Sequence, residues 1–272
     1  MADTTLTPES PGPSNSGIRW RVSGASVCGS GHQRHHQPCQ DACQWQVVNS
    51  KWLVAAVADG AGSAMQAEIG ARLAVEAVVA HLAAQITANE FQIEADERLQ
   101  TSLTNAFQLA RINLEQEAET RGIALRELAT TLVVVVAHPE LVAVAQIGDG
   151  AAVVNPQRFD PLALTVPQTG EYLNQTLFLT APQALTQIQT VVWRGAPAQL
   201  ALFTDGLQLL ALKLPEATAH RPFFAPLFQF IAEETDPVSA TEQLIGFLNS
   251  NRIRERTDDD LTLVLATIDR MK

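Results

Sequence analysis

An α+β domain, with sheets flanked by layers of helices, is the fold class the sequence predicts, on three observations. Strand-like runs outnumber helical ones. Two of those strands, Lys51 to Ala58 and Thr130 to Ala137, are apolar at almost every position, as a strand covered on both faces must be. The helical runs fall in two groups, one before Thr130 and one after Thr204. The chain has 272 residues, 46% hydrophobic and 17% charged, which argues against disorder over most of its length and suits one domain with a sizeable core.

Residues 1–17 read as a tail, because TPESPGPSNSG combines Pro, Ser, Gly and Asn with almost no apolar content. Residues 18–272 read as the domain, with no internal repeat and no second linker. Arg19 to Val27 and Ala42 to Val48 read as strands, and Lys51 to Ala58 as a buried one. Ser63 and Gln66 have capping-box spacing and predict that a long helix opens at Ser63, with Ala71, Val75, Val78, Leu82 and Ile86 on one face. A second helix carries Leu99, Leu103, Phe107, Ala110 and Leu114 on one stripe. Thr130 to Ala137 is β-branched and strand-like, His138-Pro139-Glu140 breaks it, and Leu141 to Ile147 returns as its hairpin partner. The turn Gly148-Asp149-Gly150 leads to a short strand, Ala151 to Val154. Val191 to Arg194 and Leu200 to Thr204 are further strands. Leu207 to Leu212, Pro222 to Glu233 and Val238 to Asn249 read as helices, and Leu261 to Ile268 as the last strand. Trp20, Trp45, Trp52 and Trp193, and the run Phe223, Phe224, Phe228 and Phe230, read as packing residues.

Charge and cysteine usage narrow the partners. Asp and Glu number 29 against 18 Lys and Arg, a formal charge of −11, which argues against binding nucleic acid or an anionic membrane. No apolar run is read as approaching the roughly 20 residues that span a bilayer, and the start lacks a signal pattern. Three cysteines are too few and too odd for a disulfide framework. A cytoplasmic, soluble protein, monomeric by expectation, is the reading.

Chemistry enters through the aspartates. Asp59 follows the buried strand KWLVAAVA, Asp205 follows LALFT, and Asp149 follows LVAVAQI. Asp258, Asp259 and Asp260 precede LTLVLATI, and Asp41 precedes Ala42 to Val48. Each Asp-Gly alone is an ordinary turn dipeptide. Together they place carboxylates at the ends of the most apolar strands. Carboxylates on one rim raise one another's pKa unless a cation neutralises them, and oxygen-only ligands suit Mg²⁺ or Mn²⁺. The glycine after each Asp is read as clearing space for a metal, water or substrate, and Gly60 could also lend its carbonyl.

These segments resemble, in order, the motifs of the metal-dependent protein phosphatases, the protein phosphatase 2C family, and in particular its short bacterial branch. The resemblance rests on Gln40-Asp41, VAAVADGAG (Val54 to Gly62), ATTLVVVVA (Ala129 to Ala137), IGDGAAVV (Ile147 to Val154), LFTDGL (Leu202 to Leu207) and DDLTLVLA (Asp259 to Ala266). It spans about Ile18 to Asp269. It implies a four-layer α-β-β-α sandwich, antiparallel sheets flanked by helix pairs, with a two-metal centre at one end. It implies Mn or Mg as cofactor and hydrolysis of phosphoserine or phosphothreonine in a phosphorylated protein by a metal-activated water. Asp59 would bridge two metals, the Gly60 carbonyl would bind one, and Asp205 and Asp259 the other. Asp41 would hold metal-bound waters, and Asp149 matches a residue that binds a third metal in some relatives.

The chain departs from the pattern in places. His36 stands where the family carries a phosphate-gripping Arg, and Arg34 lies two residues earlier; Arg34, with its bidentate fork, is the preferred grip, His36 the other candidate. Gln40 replaces Glu, and Ala61 stands where eukaryotic relatives have His. Asp259 is chosen over its neighbours because it stands three before Thr262. The run GEYLNQT (Gly170 to Thr176) resembles a stretch of the bacterial branch. These departures leave a competing reading, a catalytically silent relative that binds phosphoprotein or metal. The segment 28–43, with Cys28, His32, His35, His36, Cys39 and Cys43, offers a structural zinc site as an alternative, though its spacing fits no standard finger.

Overall fold

The computed structural model describes residues 17–270 apart from 90, 92, 94, 158–159 and 169–175; residues 1–16 of the tail and nearly all of GEYLNQT lie outside the described residues. The strands are β1 (Ile18–Val27), β2 (Asp41–Val48), β3 (Trp52–Asp59), β4 (Leu132–His138), β5 (Leu141–Ile147), β6 (Ala151–Pro156), β7 (Leu162–Ala163), β8 (Gln189–Arg194), β9 (Pro197–Phe203), β10 (Leu212–Lys213), β11 (Thr218–Ala219) and β12 (Leu261–Arg270). The helices are α1 (Ser30–Arg34), α2 (Ala67–Thr87), α3 (Asp96–Arg121), α4 (Gln208–Ala211), α5 (Arg221–Glu233), α6 (Pro237–Leu248) and α7 (Asn251–Arg254).

Two five-stranded antiparallel sheets form the centre, ordered β1-β12-β9-β6-β7 and β2-β3-β4-β5-β8. Strand alternation explains why their central strands are apolar throughout. In β3, Leu53, Ala55 and Val57 face the opposite sheet, while Val54, Ala56 and Ala58 face α2 and α3. In β4, Val133 and Val135 turn toward the other sheet and Leu132, Val134 and Val136 toward the helices. On the far side Leu261, Leu263 and Leu265 pack against Phe224, Phe228, Ile231 and Leu244 of α5 and α6. The result is the α-β-β-α sandwich.

Helix α2 corrects two sequence readings. It begins at Ala67 rather than Ser63, and no side chain caps it. The backbone N–H of Met65 instead donates to Glu127 Oε2 at 3.2 Å and that of Gln66 to the Glu127 carbonyl at 3.0 Å. A distant residue thus anchors the two residues that lead into the helix. The helix is also 21 residues long and apolar enough to cross a membrane by length and composition, contrary to the reading of the sequence. Its apolar face is spent on the sheet: Ala67, Ala71, Ala74, Val78 and Leu82 are buried, while Arg72 and Glu76 pair on the outside. The short helices α1 and α7 and the strands β7, β10 and β11 were not foreseen.

Candidate metal centre

Antiparallel registry assembles the site. The last residue of β3, Asp59, lies opposite the first of β2, Asp41. Asp59 is fixed at the β3–β4 junction: its N–H donates to Thr131 Oγ1 at 3.0 Å, and its carbonyl accepts from the Thr131 N–H at 2.8 Å and the Thr130 hydroxyl at 3.0 Å. Asp205 leaves β9 of the other sheet through Thr204, whose hydroxyl donates to Asp41 Oδ2 at 2.7 Å and accepts from the Thr262 N–H at 3.1 Å. That chain of bonds ties the ends of both sheets together. Asp149 sits in the β5–β6 turn and accepts at Oδ2 from the Thr176 hydroxyl at 2.7 Å. One carboxylate oxygen from each of Asp59, Asp149 and Asp205 lies within 4.8 Å of the others. Asp259 stands outside this trio, its Oδ1 accepting from the Asp260 N–H at 2.9 Å.

Burial and mutual repulsion dominate the electrostatics. Burial, then the charges of Asp41, Asp205, Asp259 and Asp149, pushes Asp59 well above the usual carboxylate range. Asp205 is pushed up to about 8 by burial and by Asp149, Asp259 and Asp41. Asp41 rises to about 7, chiefly through burial and against the lowering bonds from Thr204 and Thr262. Asp149 and Asp259 rise as well, burial first. Asp149 Oδ1 is buried with no hydrogen-bond partner. An orphaned carboxylate oxygen among mutually repelling carboxylates, with no amide or thiolate ligand, fits a hard divalent cation.

A further carboxylate, passed over in the sequence in favour of Asp259, holds the frame. Asp260 is 1% exposed; its Oδ1 accepts from the Gly29 N–H and its Oδ2 from the Gln40 N–H, both at 2.5 Å, and His32 Nδ1 lies 2.9 Å from Oδ2. It clamps both ends of the β1–β2 loop beside Asp41. The signal was present: alternation back from Val264 through Thr262 puts Asp260 on the face toward the opposite sheet. Gln146, fully buried, likewise donates from Nε2 to the carbonyls of Gly148 and Gly150, both at 2.9 Å, and so shapes the turn that carries Asp149.

The glycines after the aspartates are corrected. A Cβ at Gly60 would lie 2.7 Å from the Ala67 carbonyl oxygen, at Gly150 2.8 Å from that of Phe203, and at Gly206 2.1 Å from that of Asp260. They permit backbone to approach backbone, not a ligand to enter. Arg34 lies on α1 and pairs with Asp258 at 3.0 Å, both side chains well exposed. His36 is exposed with φ at 54°. Ala61 is buried, its N–H donating to the Ala129 carbonyl at 2.9 Å. Among the described residues the Cys/His segment forms no group of three ligating atoms, and Cys28, Cys39 and Cys43 are free thiols, so the zinc alternative finds no support.

The chain matches the family model for protein phosphatase 2C over residues 28–249. It is 38% identical over 255 residues to serine/threonine-protein phosphatase 3 of Escherichia coli strain K12, covering 92% of this chain and 98% of that one. A variant of a bacterial serine phosphatase superposes with a TM-score of 0.67 at 15% identity, covering 93% of this chain and all of its own. The catalytic domain of the serine/threonine protein phosphatase PstP, solved in complex with 2 manganese ions, superposes with a TM-score of 0.58 at 15% identity, covering 93% and 99%.

Proposed function

The chain belongs to the protein phosphatase 2C family, and from that premise we propose that its acidic rim binds Mn²⁺ or Mg²⁺ and hydrolyses phosphoserine and phosphothreonine esters in protein substrates. The observation that carries this reading is the trio Asp59, Asp149 and Asp205, converging within 4.8 Å, with one oxygen of Asp149 buried and unpartnered. When bound, two divalent ions supply charge neutralisation for the phosphoryl group and a water acidic enough to ionise near neutral pH.

The residues divide the work. Asp59 and Asp205, one from each sheet, would hold the ions, with the Gly60 carbonyl and Asp259 as further ligands and Asp149 as the ligand of a third ion. Thr204 donates to Asp41 Oδ2 and so fixes the carboxyl that would hold metal-bound waters. Arg34, bound to Asp258 only through an exposed pair of little strength, is free to exchange that partner for a phosphate oxygen, and His36 is the other candidate. With Ala61 buried at the position after Gly60, the leaving-group proton comes from water. We further propose that the protein is cytoplasmic, which its three free thiols support, and that it acts as a monomer.

The test is hydrolysis of p-nitrophenyl phosphate and a phosphothreonine peptide with Mn²⁺, Mg²⁺ or EDTA, with Asp205→Ala as control. Turnover that needs metal and vanishes in the variant is expected. A folded protein that binds Mn²⁺ yet turns over neither substrate would instead be a silent phosphoprotein- or metal-binding relative.

A further inference from the structure

The outer face of α5 and α6, on the far side from α2 and α3, carries an apolar groove with a positive rim. Two adjoining cavities of about 300 and 330 Å³ share Pro226, Phe247 and Arg252 as walls. The first is walled also by Leu209, Phe223 and Arg256. Leu209 is 74% exposed, an unusual cost for a residue of that size. In a chain of formal charge −11 no carboxylate lines either cavity, and among the described residues Arg252 and Arg256 have no ion-pair partner. The packing expected of this aromatic run holds: Phe224 and Phe228 are buried, and Phe223 and Phe230 pack against the same core while their outer edges line the groove. The groove is joined to the metal centre through the chain that follows Asp205. Leu209 lies four residues after Asp205, and the preceding Gln208 donates from Nε2 to the Asp149 carbonyl at 3.3 Å.

We propose that this groove docks an acidic segment with apolar anchors belonging to the phosphoprotein substrate, away from the phosphorylated residue itself. Two or more apolar side chains enter the cavities, and neighbouring carboxylates meet Arg252 and Arg256. The proposal rests on the phosphatase reading for its purpose and on charge complementarity for its occupant. An acidic enzyme repels acidic substrates over most of its surface, so a positive apolar strip selects among them and orients them.

The experiment separates docking from catalysis. A fluorescent, unphosphorylated peptide alternating Glu and Asp with Leu and Phe is titrated against the full chain with Mn²⁺, followed by anisotropy. A peptide with Lys in place of the acids is the control. Saturable binding of the acidic peptide alone is expected, weakened by about tenfold or more in the double variant Arg252→Glu/Arg256→Glu and also in Leu209→Glu. Hydrolysis of p-nitrophenyl phosphate should be unchanged in both, which also reports that they are folded. Equal binding of the two peptides, or full binding by both variants, would overturn the proposal. So would a dimer in sedimentation that Leu209→Glu dissociates while no peptide binds, since a second copy would then be the occupant. Loss of p-nitrophenyl phosphate turnover in the unaltered protein would sink the phosphatase reading and leave the peptide result standing on its own.

Discussion

Asp205 is half-buried among other carboxylates and Arg34 is exposed, and their substitutions should fail differently. Asp205 supplies one of three converging carboxylates. Asp205→Asn keeps the shape but removes the charge a cation needs, so metal-dependent kcat is expected to fall on the order of a thousandfold with the fold intact. Arg34 touches only an exposed Asp258. Arg34→Ala is expected to raise KM for a phosphopeptide by about tenfold and leave Tm unchanged, because an exposed pair contributes little to stability. An unchanged KM would move the phosphate grip to His36. Asp260 is the opposite case, a buried carboxylate serving two backbone N–H groups. Asp260→Ala leaves both unsatisfied and is expected to cost about 1–3 kcal/mol of stability by thermal unfolding, with weaker Mn²⁺ binding as the β1–β2 loop loosens.

Two helical glycines set intrinsic propensity against packing. Ala is about 0.8–1.0 kcal/mol better than Gly inside a helix. In α2, a Cβ at Gly70 would lie 2.2 Å from the Leu128 carbonyl oxygen, which is backbone and cannot swing away. Gly70→Ala is therefore expected to lower Tm despite its better propensity. Gly246 in α6 has nothing within 4 Å of an added Cβ, so Gly246→Ala is expected to raise Tm. If both moved the same way, close packing of α2 would not be the reason for its glycine. The same contrast explains what the sequence disclosed. Long elements with sustained periodicity, such as α3 and β4, were legible because many side chains vote for one face. The start of α2 was not, because the two residues leading into it are anchored by Glu127 from a separate segment. The helices α1 and α7, of 5 and 4 residues, are too short to show a period and exist only where the loops around them are held. At the site, Asp59, Asp149 and Asp205 were readable from strand ends. The role of Asp260 needed the parity of β12 to be carried back through the turn, and the backbone function of the glycines needed the neighbouring chain.

For the molecule as a whole, the acidic rim makes stability depend on both pH and metal. Burial and crowding hold Asp41 at about 7 and Asp205 at about 8, with Asp59 raised too, against about 3.9 in the unfolded chain. A carboxyl whose folded pKa is raised binds more protons in the native state, so its contribution is fully present below about pH 4 and is lost as pH rises toward about 8. The metal-free protein should thus lose stability between about pH 5 and about pH 8. His138, lowered by burial, works in the other direction, but only below its ordinary value. The raised thiols of Cys28, Cys39 and Cys43 act only at higher pH. Divalent cations compete with those protons and bind the native state alone, so the Tm gain from Mn²⁺ over EDTA should grow across the same interval. Asp205→Asn removes one of the titrating groups and should flatten the EDTA curve while shrinking the Mn²⁺ gain. Thermal melts at the two ends of the interval decide it. A metal-free Tm that rises with pH, or an Mn²⁺ gain that does not change with pH, would mean that the carboxylates are already paired with something else, and that the acid cluster is not the cation site that couples the two sheets.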